Sequence, residues 1–330
     1  MKFLVVRFSS IGDIVLTESV VRCLKEQTTN SEIHYLTKEN FLDLVKHNPS
    51  ISKVHVLSKD WSKLIESLQK EKFDYVIDLH NNLRTKRLKW ELKTKSFSFP
   101  KRNIEKYIYT RFKYNLLPRN EHVVDRYFST VLELNIKNDN QPNRLFINSD
   151  NKIDLEKFGL SLRGYLAVAI GAQFNTKKLP IDKMISVLKK CNLPIVLLGN
   201  EKDQQHAQEI INSLTSKEIH SFCGKLNLLQ SASLVEQAAV LLTHDTGLMH
   251  IAACFETPIV SVWGNTTPEL GMYPYTPTRR EQAILIEVKE LGCRPCSKIG
   301  FQKCPKGHFS CMNLQDVEVI SDEIRKKLMN

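Results

Sequence analysis

Apolar residues recur along the 330-residue chain in two rhythms. Short, nearly continuous apolar runs alternate with longer stretches whose apolar positions fall every three or four residues. The first rhythm fits strands buried on both faces, and the second fits helices with one face turned inward. Residues 3–7 read as a buried strand. The turn Ser9-Ser10-Ile11-Gly12-Asp13 follows, then a helix with Ile14, Val20, Val21 and Leu24 inward. Further strands are expected at residues 33–36, 54–57, 73–79 and 96–99, with helical segments such as 61–70 between them. Over residues 137–151 the composition turns polar, which reads as a linker or domain crossover. A second alternation then begins, with strands at 165–170, 194–198, 219–222, 239–243, 258–263 and 284–288 and helices such as 181–191 and 204–214. A last helix is expected at 314–328, with Val317, Ile320, Ile324 and Leu328 on its apolar face and Asn313 as N-cap. The pattern predicts an α/β protein of two doubly wound, Rossmann-like domains, residues 1–150 and 151–330.

Sheets of this kind bind ligands at the carboxyl ends of their strands, so the polar residues there are the candidates for chemistry. In residues 241–271 an apolar strand ends at Thr243, the turn His244-Asp245-Thr246-Gly247 follows, and a helix carries Met249, Ile251 and Phe255 before the strand from Pro258. The N–H groups of Thr246 and Gly247 open that helix, where an anion such as phosphate can sit. Asp245 and Thr246 also suit a plain helix cap. Asp13 either caps its helix or presents a carboxylate at the end of the first strand. Gly12 is expected to adopt a backbone conformation closed to other residues and to let a ligand approach. Asp78 ends another strand, before His80-Asn81-Asn82, and is expected to face the same crevice. Neither G-x-G-x-x-G nor G-x-x-x-x-G-K-[ST] occurs, which disfavours a dinucleotide oxidoreductase and a P-loop enzyme.

A net charge of +11 calls for an anionic partner: nucleic acid, a membrane surface or a phosphorylated substrate. Much of it lies in residues 84–126, where aromatics such as Trp90, Tyr107 and Phe112 are interleaved and residues 104–117 look amphipathic. No apolar run is long enough to cross a bilayer. The apolar start is too short for a signal peptide and lacks a cleavage site, so a cytoplasmic address is expected. Cys23, Cys191, Cys223 and Cys254 sit in apolar contexts as small hydrophobes. Cys293, Cys296, Cys304 and Cys311 form C-x2-C-x7-C-x6-C, with His308 inside it. A structural Zn²⁺ on four thiolates, reduced thiols and disulfides all stay open for this segment, residues 293–311.

Four motifs occur in order: R-F-S-S-I-G-D-I-V-L-T from Arg7, K-K-L-P at Lys177–Pro180, G-N-E-K-D at Gly199–Asp203, and D-T-G-L-M-H at Asp245–His250. Together they resemble glycosyltransferase family 9, the ADP-heptose:lipopolysaccharide heptosyltransferases, over nearly the whole chain. The resemblance implies a GT-B fold, two Rossmann-like domains facing a central cleft. It implies an inverting, metal-independent transfer of heptose from ADP-heptose to a lipid A-linked inner-core acceptor. The N-terminal domain would bind the acceptor, with Ser9, Ser10, Gly12, Arg84 and Arg87 beside it and Asp13 as general base. The C-terminal domain would bind the nucleotide sugar. Lys177 would meet the diphosphate, with Lys178 as the alternative, and Thr176 is the hydroxyl close by. Glu201 would accept from the ribose, with Asp203 as rival. Asp245 would meet a sugar hydroxyl, Thr246 and Gly247 the phosphate oxygens, and His250 the diphosphate or the sugar.

No cofactor is expected for catalysis, in keeping with the absence of any D-x-D from the sequence. The expected partners are a nucleotide-sugar donor, a phosphorylated glycolipid acceptor and the anionic inner face of the cytoplasmic membrane. A basic nucleic-acid-binding protein with a zinc knuckle is the reading from another class. It is disfavoured because Asp13, Glu201 and Asp245 in one cleft would repel a phosphate backbone. The chain also departs from the better-known heptosyltransferases, which carry hydroxyl residues before the diphosphate lysine and an aromatic after it. Here Ala172-Gln173-Phe174-Asn175-Thr176 precedes and Leu179 follows. A family 9 transferase with a different sugar nucleotide or acceptor is therefore the alternative.

Overall fold

The structure is a computed structural model that describes residues 1–329, and it divides into two units. The first comprises Met1–Arg102 and Glu121–Asn148. Its strands are β1 (Lys2–Val6), β2 (Glu32–Thr37), β3 (Lys53–Val56), β4 (Tyr75–Asp78) and β5 (Lys95–Ser98). They form one parallel sheet in the order β3-β2-β1-β4-β5. Parallel strands need crossovers, and here these carry α1 (Ile11–Val15), α2 (Glu18–Gln27), α3 (Trp61–Lys70) and α4 (Leu83–Leu92). The excursion Asn103–Asn120 groups with the second unit and holds α5 (Asn103–Phe112). The chain then returns for α6 (Val123–Phe128).

Several details of this unit differ from the sequence reading. The single helix expected after the first turn is two helices, broken at Leu16-Thr17. The Thr17 hydroxyl donates to the Ile14 carbonyl and meets the Tyr35 hydroxyl at 2.9 Å, so a side chain competes with the backbone where the helix breaks. Gly12 lies within α1, in helical backbone, rather than in a glycine-only conformation. The polar stretch after residue 137 folds back onto α2. Arg22 pairs with Asp139 at 2.9 Å, and the Ser19 N–H donates to Asn143 at 2.9 Å.

The second unit adds β6 (Leu166–Ala169), β7 (Ile195–Leu198), β8 (Ile219–Ser221), β9 (Val240–His244), β10 (Ile259–Trp263) and β11 (Ala283–Glu287). They make a parallel sheet in the order β11-β10-β9-β6-β7-β8. Its helices are α7 (Ile181–Lys189), α8 (Gln204–Ser213), α9 (Leu228–Gln237), α10 (Gly247–Ala252), α11 (Ser310–Asn313) and α12 (Val317–Met329). The continuous apolar runs follow from helices on both faces. Leu166, Val168, Leu197, Leu242 and Val262 pack on one side, and Ala167, Ala169, Val196, Leu241 and Trp263 on the other. Asn313 is not the cap of the last helix. It ends α11, and the Asp316 carboxylate accepts the Glu318 N–H at 2.8 Å where α12 begins.

Candidate active site

A doubly wound sheet opens a crevice where successive crossovers leave neighbouring strands in opposite directions. In the second unit that place is between β6 and β9. The loop after β6 carries Lys177 and the loop after β9 carries Asp245. Lys177 Nζ lies 2.5 Å from Asp245 Oδ2 and 3.2 Å from the Asp245 carbonyl. Thr266, after β10, donates its hydroxyl to the same carboxylate oxygen at 2.8 Å. A lysine, an aspartate and a threonine from three strand ends thus converge. Thr246 occupies the N-cap of α10 and Gly247 starts it, so their N–H groups lack intrahelical acceptors at the same turn.

The neighbouring candidates separate clearly. Lys178 turns away to Asp203 Oδ1 at 2.8 Å, and Asp203 Oδ2 accepts the Asn200 N–H at 3.0 Å. Asp203 is completely buried. A Cβ at Gly171 would stand 2.2 Å from its Oδ2, so glycine at the end of β6 is what admits the carboxylate. Asp203 is therefore an internal brace, whereas Glu201 is exposed on the turn just after β7. Gly224, at φ +70°, lets the chain pass Glu201, since a Cβ there would come within 2.9 Å of its Cα. Thr176 is buried and its hydroxyl is spent on Phe301, donating to the carbonyl and accepting the N–H, both at 2.8 Å. The hydroxyl expected close to the donor is thus engaged with Phe301. His250 is buried within α10. His244, named in the turn but given no role from the sequence, has one here: its Nε2 accepts the Leu179 N–H at 2.9 Å and ties the lysine loop to β9. Burial, with help from Lys178, pushes its pKa down to about 4, which keeps the ring neutral and able to accept.

In the first unit the equivalent switch lies between β1 and β4. Asp13, in the first turn after β1, accepts from Arg7 Nη2 at 2.7 Å and from the Tyr127 hydroxyl at 3.2 Å on Oδ1, and from the Ser10 hydroxyl at 2.8 Å on Oδ2. Burial opposes the charge on Arg7, but the Asp13 carboxylate together with Tyr127 and Tyr35 outweighs it and the arginine pKa rises. Burial holds the Tyr127 hydroxyl well above its usual range, so it stays a donor. Arg7 stands in the first motif and was open to notice; Tyr127, more than a hundred residues on, gave no sequence signal. Ser9 contributes its carbonyl, which accepts from Arg7 Nε at 2.6 Å. A cavity of about 560 Å³ is lined by Phe8, Lys38, His80, Asn82, Leu83 and Arg84. It brings Arg84 to the first motif and adds Lys38, which the sequence did not single out. Arg87 goes elsewhere, to Glu91 at 2.7 Å and over the Trp61 ring. Asp78 does not face the crevice. It is buried, accepts the Asn81 N–H at 2.7 Å and pairs with Lys89 at 2.9 Å.

An arginine anchors the start of the cysteine-rich segment. Arg294 donates to the carbonyls of Gly264, Val288 and Thr266 and to the Glu287 carboxylate. The four cysteines are free thiols, and burial raises Cys296 to about 11 and Cys311 to about 12. Among the described residues, the group whose ligand atoms converge within 4.8 Å is instead His34, His55 and Glu71. There Glu71 is already paired with Lys2 and Lys53. The cysteine sulfurs as placed do not meet the convergence a tetrahedral zinc site needs. Arg294 ties the start of the segment to the chain just after β10 and to the end of β11.

Comparison with known proteins gives this arrangement a family. Residues 61–303 match Glycosyltransferase family 9 (heptosyltransferase). The chain is 24% identical over 328 residues to lipooligosaccharide heptosyltransferase 2 of Haemophilus influenzae, covering 88% of this chain and 89% of that protein. It is also 24% identical over 291 residues to lipopolysaccharide heptosyltransferase 1 of Campylobacter coli, covering 81% and 84%. The fold matches that of E. coli ADP-heptose LPS heptosyltransferase II, with a TM-score of 0.76 at 21% identity, covering 100% of this chain and 99% of that one. The chain thus has the two-sheet GT-B fold, is a glycosyltransferase, and belongs to glycosyltransferase family 9.

Proposed function

We propose that this protein transfers heptose from ADP-heptose, with inversion and without a catalytic metal, to a phosphorylated, lipid A-linked inner-core acceptor of lipopolysaccharide. We place the reaction at the inner face of the cytoplasmic membrane. The observation that carries the donor half is the meeting of Lys177, Asp245 and Thr266 at the switch point of the second sheet. Asp245 holds Lys177 until the donor arrives. The diphosphate then takes over the ammonium, with the Thr246 and Gly247 N–H groups beside it. Asp245, still held by Thr266, is left to accept from a sugar hydroxyl. Exposed Glu201 accepts from the ribose.

On the acceptor side Asp13 is the base. Arg7 and Tyr127 orient it through Oδ1, and Oδ2, reached by Ser10, receives the proton of the acceptor hydroxyl. That oxygen attacks the anomeric carbon opposite the diphosphate. The bond from that carbon to the phosphate oxygen breaks, and ADP leaves with the electron pair. Lys177 offsets the charge gained there, the task a divalent cation performs in other transferases. Lys38 and Arg84, beside the Phe8 ring, suit an anionic sugar acceptor.

Asp13→Asn tests the reading. Transfer is expected to fall by about a hundredfold or more, while ADP raises the melting temperature as in wild type. Near wild-type transfer would sink the base assignment. A thermal-shift comparison of ADP-heptose with UDP- and GDP-sugars tests the donor, and stabilisation by one of the latter instead would favour a family 9 enzyme of different donor. Turnover is expected to survive EDTA; a loss restored by Mg²⁺ would overturn the metal-free mechanism.

A further inference from the structure

The helix α5 buries none of its residues. Its outward stripe at i, i+3 and i+7 is Ile104, Tyr107 and Arg111, with Phe112 alongside. Ile104 is 73% exposed and Phe112 65%, and Tyr114 and Leu116 continue exposed beyond the helix end. A surface helix normally turns such residues inward. This one turns them out, and it does so in one place rather than singly.

The helix is attached to the cysteine-rich segment. Lys113 Nζ donates to the Pro295 carbonyl at 2.7 Å, and Lys298 Nζ to the Asn103 side chain at 3.3 Å. That segment has its own exposed apolar residue, Ile299 at 52%, flanked by exposed Lys298, Lys303 and Lys306. Between Leu291 and Gln315 there is no acidic residue. Between Asn103 and Asn120, Lys106, Arg111, Lys113 and Arg119 stand against Glu105 alone. One surface therefore combines protruding aromatic and aliphatic side chains with a surplus of cations. Anionic head groups over acyl chains complement both properties: apolar and aromatic groups enter the head-group boundary, and lysines and arginines reach the phosphates.

We infer that α5 and the cysteine-rich segment together form the surface by which this protein docks on an anionic lipid bilayer. The inference deepens the reading of a lipid-borne acceptor and supplies a task for the cysteine-rich segment, which the transfer chemistry does not use. Arg294 ties the start of the segment to the carbonyls of Gly264 and Thr266, and the Ser297 hydroxyl accepts the Ile299 and Gly300 N–H groups at 3.1 Å, which holds the turn that presents Ile299.

The test is sedimentation of the full-length protein with vesicles at about 0.1 M salt, where long-range attraction between exposed charges is largely screened. Phosphatidylcholine vesicles are compared with vesicles that also contain phosphatidylglycerol. Wild type is expected to favour the anionic vesicles by about tenfold or more. Ile104→Ser/Tyr107→Ser/Phe112→Ser and Lys298→Gln/Lys303→Gln/Lys306→Gln should each lose about tenfold in binding, while Trp90→Ser on α4 should not. An unchanged urea midpoint in each variant checks that it is folded. The inference is overturned if wild type stays in the supernatant. It is also overturned if the serine variant binds like wild type, since attraction would then be charge alone, or if the glutamine variant does. The vesicles hold neither donor nor acceptor, so a wrong sugar leaves the result untouched and a failed docking leaves the transfer reading intact.

Discussion

Two adjacent lysines show how much a single side-chain direction decides. Lys177 reaches Asp245, and Lys178 reaches Asp203. In sequence Lys177 was the choice and Lys178 the alternative; in the structure one faces the crevice and the other braces the interior. Lys177→Met is expected to weaken ADP binding by about ten- to a hundredfold, the range of one charge-assisted contact to phosphate, and to leave adenosine binding nearly unchanged. Lys178→Met removes one partner of a mostly buried pair and leaves the Asp203 carboxylate unmatched. It should lower stability by about 3 kcal/mol and disturb adenosine and ADP binding alike. Isothermal titration with both ligands separates the two; equal loss of ADP discrimination in both variants would refute the assignment. Asp13 was visible as a candidate because it follows the first strand, but its orienting partner Tyr127 comes from α6 and no local pattern points to it.

At the level of elements, the lysine loop after β6 is held from three sides. Thr176 pairs with Phe301, Leu179 with His244, and Lys178 with Asp203. The last bond joins this loop to the turn that carries Glu201, so the two loops proposed to bind the donor share one buried brace. Gly171 is the part of that brace with least tolerance, because the carboxylate of Asp203 occupies the space a Cβ would need. Gly171→Ala should cost about 2 kcal/mol of stability, the usual scale for overpacking, and weaken ADP binding. Chemical denaturation and titration measure the two effects; an alanine variant as stable and as tight as wild type would show that the brace yields. The strands and most helices were legible from periodicity. The break at Leu16-Thr17 and the start of α12 at Asp316 were not, because a hydroxyl and a carboxylate competing for backbone groups leave the apolar pattern unchanged.

On the scale of the molecule, stability carries a pH dependence from buried histidines. Burial pushes His55, His80 and His244 each down to about 4. The unfolded chain takes up these protons near pH 6.5, before the folded chain does. The histidine contribution is therefore full above about pH 6.5, is lost as the pH drops towards 4, and changes no further below that. His55 and His244 are nearly inaccessible, and each should remove on the order of 2 kcal/mol across the window. Urea midpoints between pH 7.5 and 4.5 measure this. His244→Gln, which keeps an acceptor for the Leu179 N–H, should flatten the slope, and an unchanged slope would show that His244 does not drive it. The net charge is also distributed at this scale. The basic run read as one stretch from residue 84 to 126 is divided: α4 belongs to the first unit, and Asn103–Asn120 packs with the second, beside the lysines of the cysteine-rich segment.

The sequence alone determined that this chain builds two parallel sheets, since runs apolar on both faces leave helices on both sides as the stable arrangement. It also determined which polar residues stand at strand ends, because the alternation places each motif directly after a strand. Only the tertiary structure decided which of those residues meet. Lys177, Asp245 and Thr266 come from three separate loops, and Arg7, Asp13 and Tyr127 from a strand end and two helices. It also withdrew Thr176, Asp203 and Asp78 into bracing bonds and gave α5 an outward apolar face. The reason is physical: periodicity records which side of its own element a residue occupies, while the partner it meets depends on strand order and loop path, which local patterns do not encode.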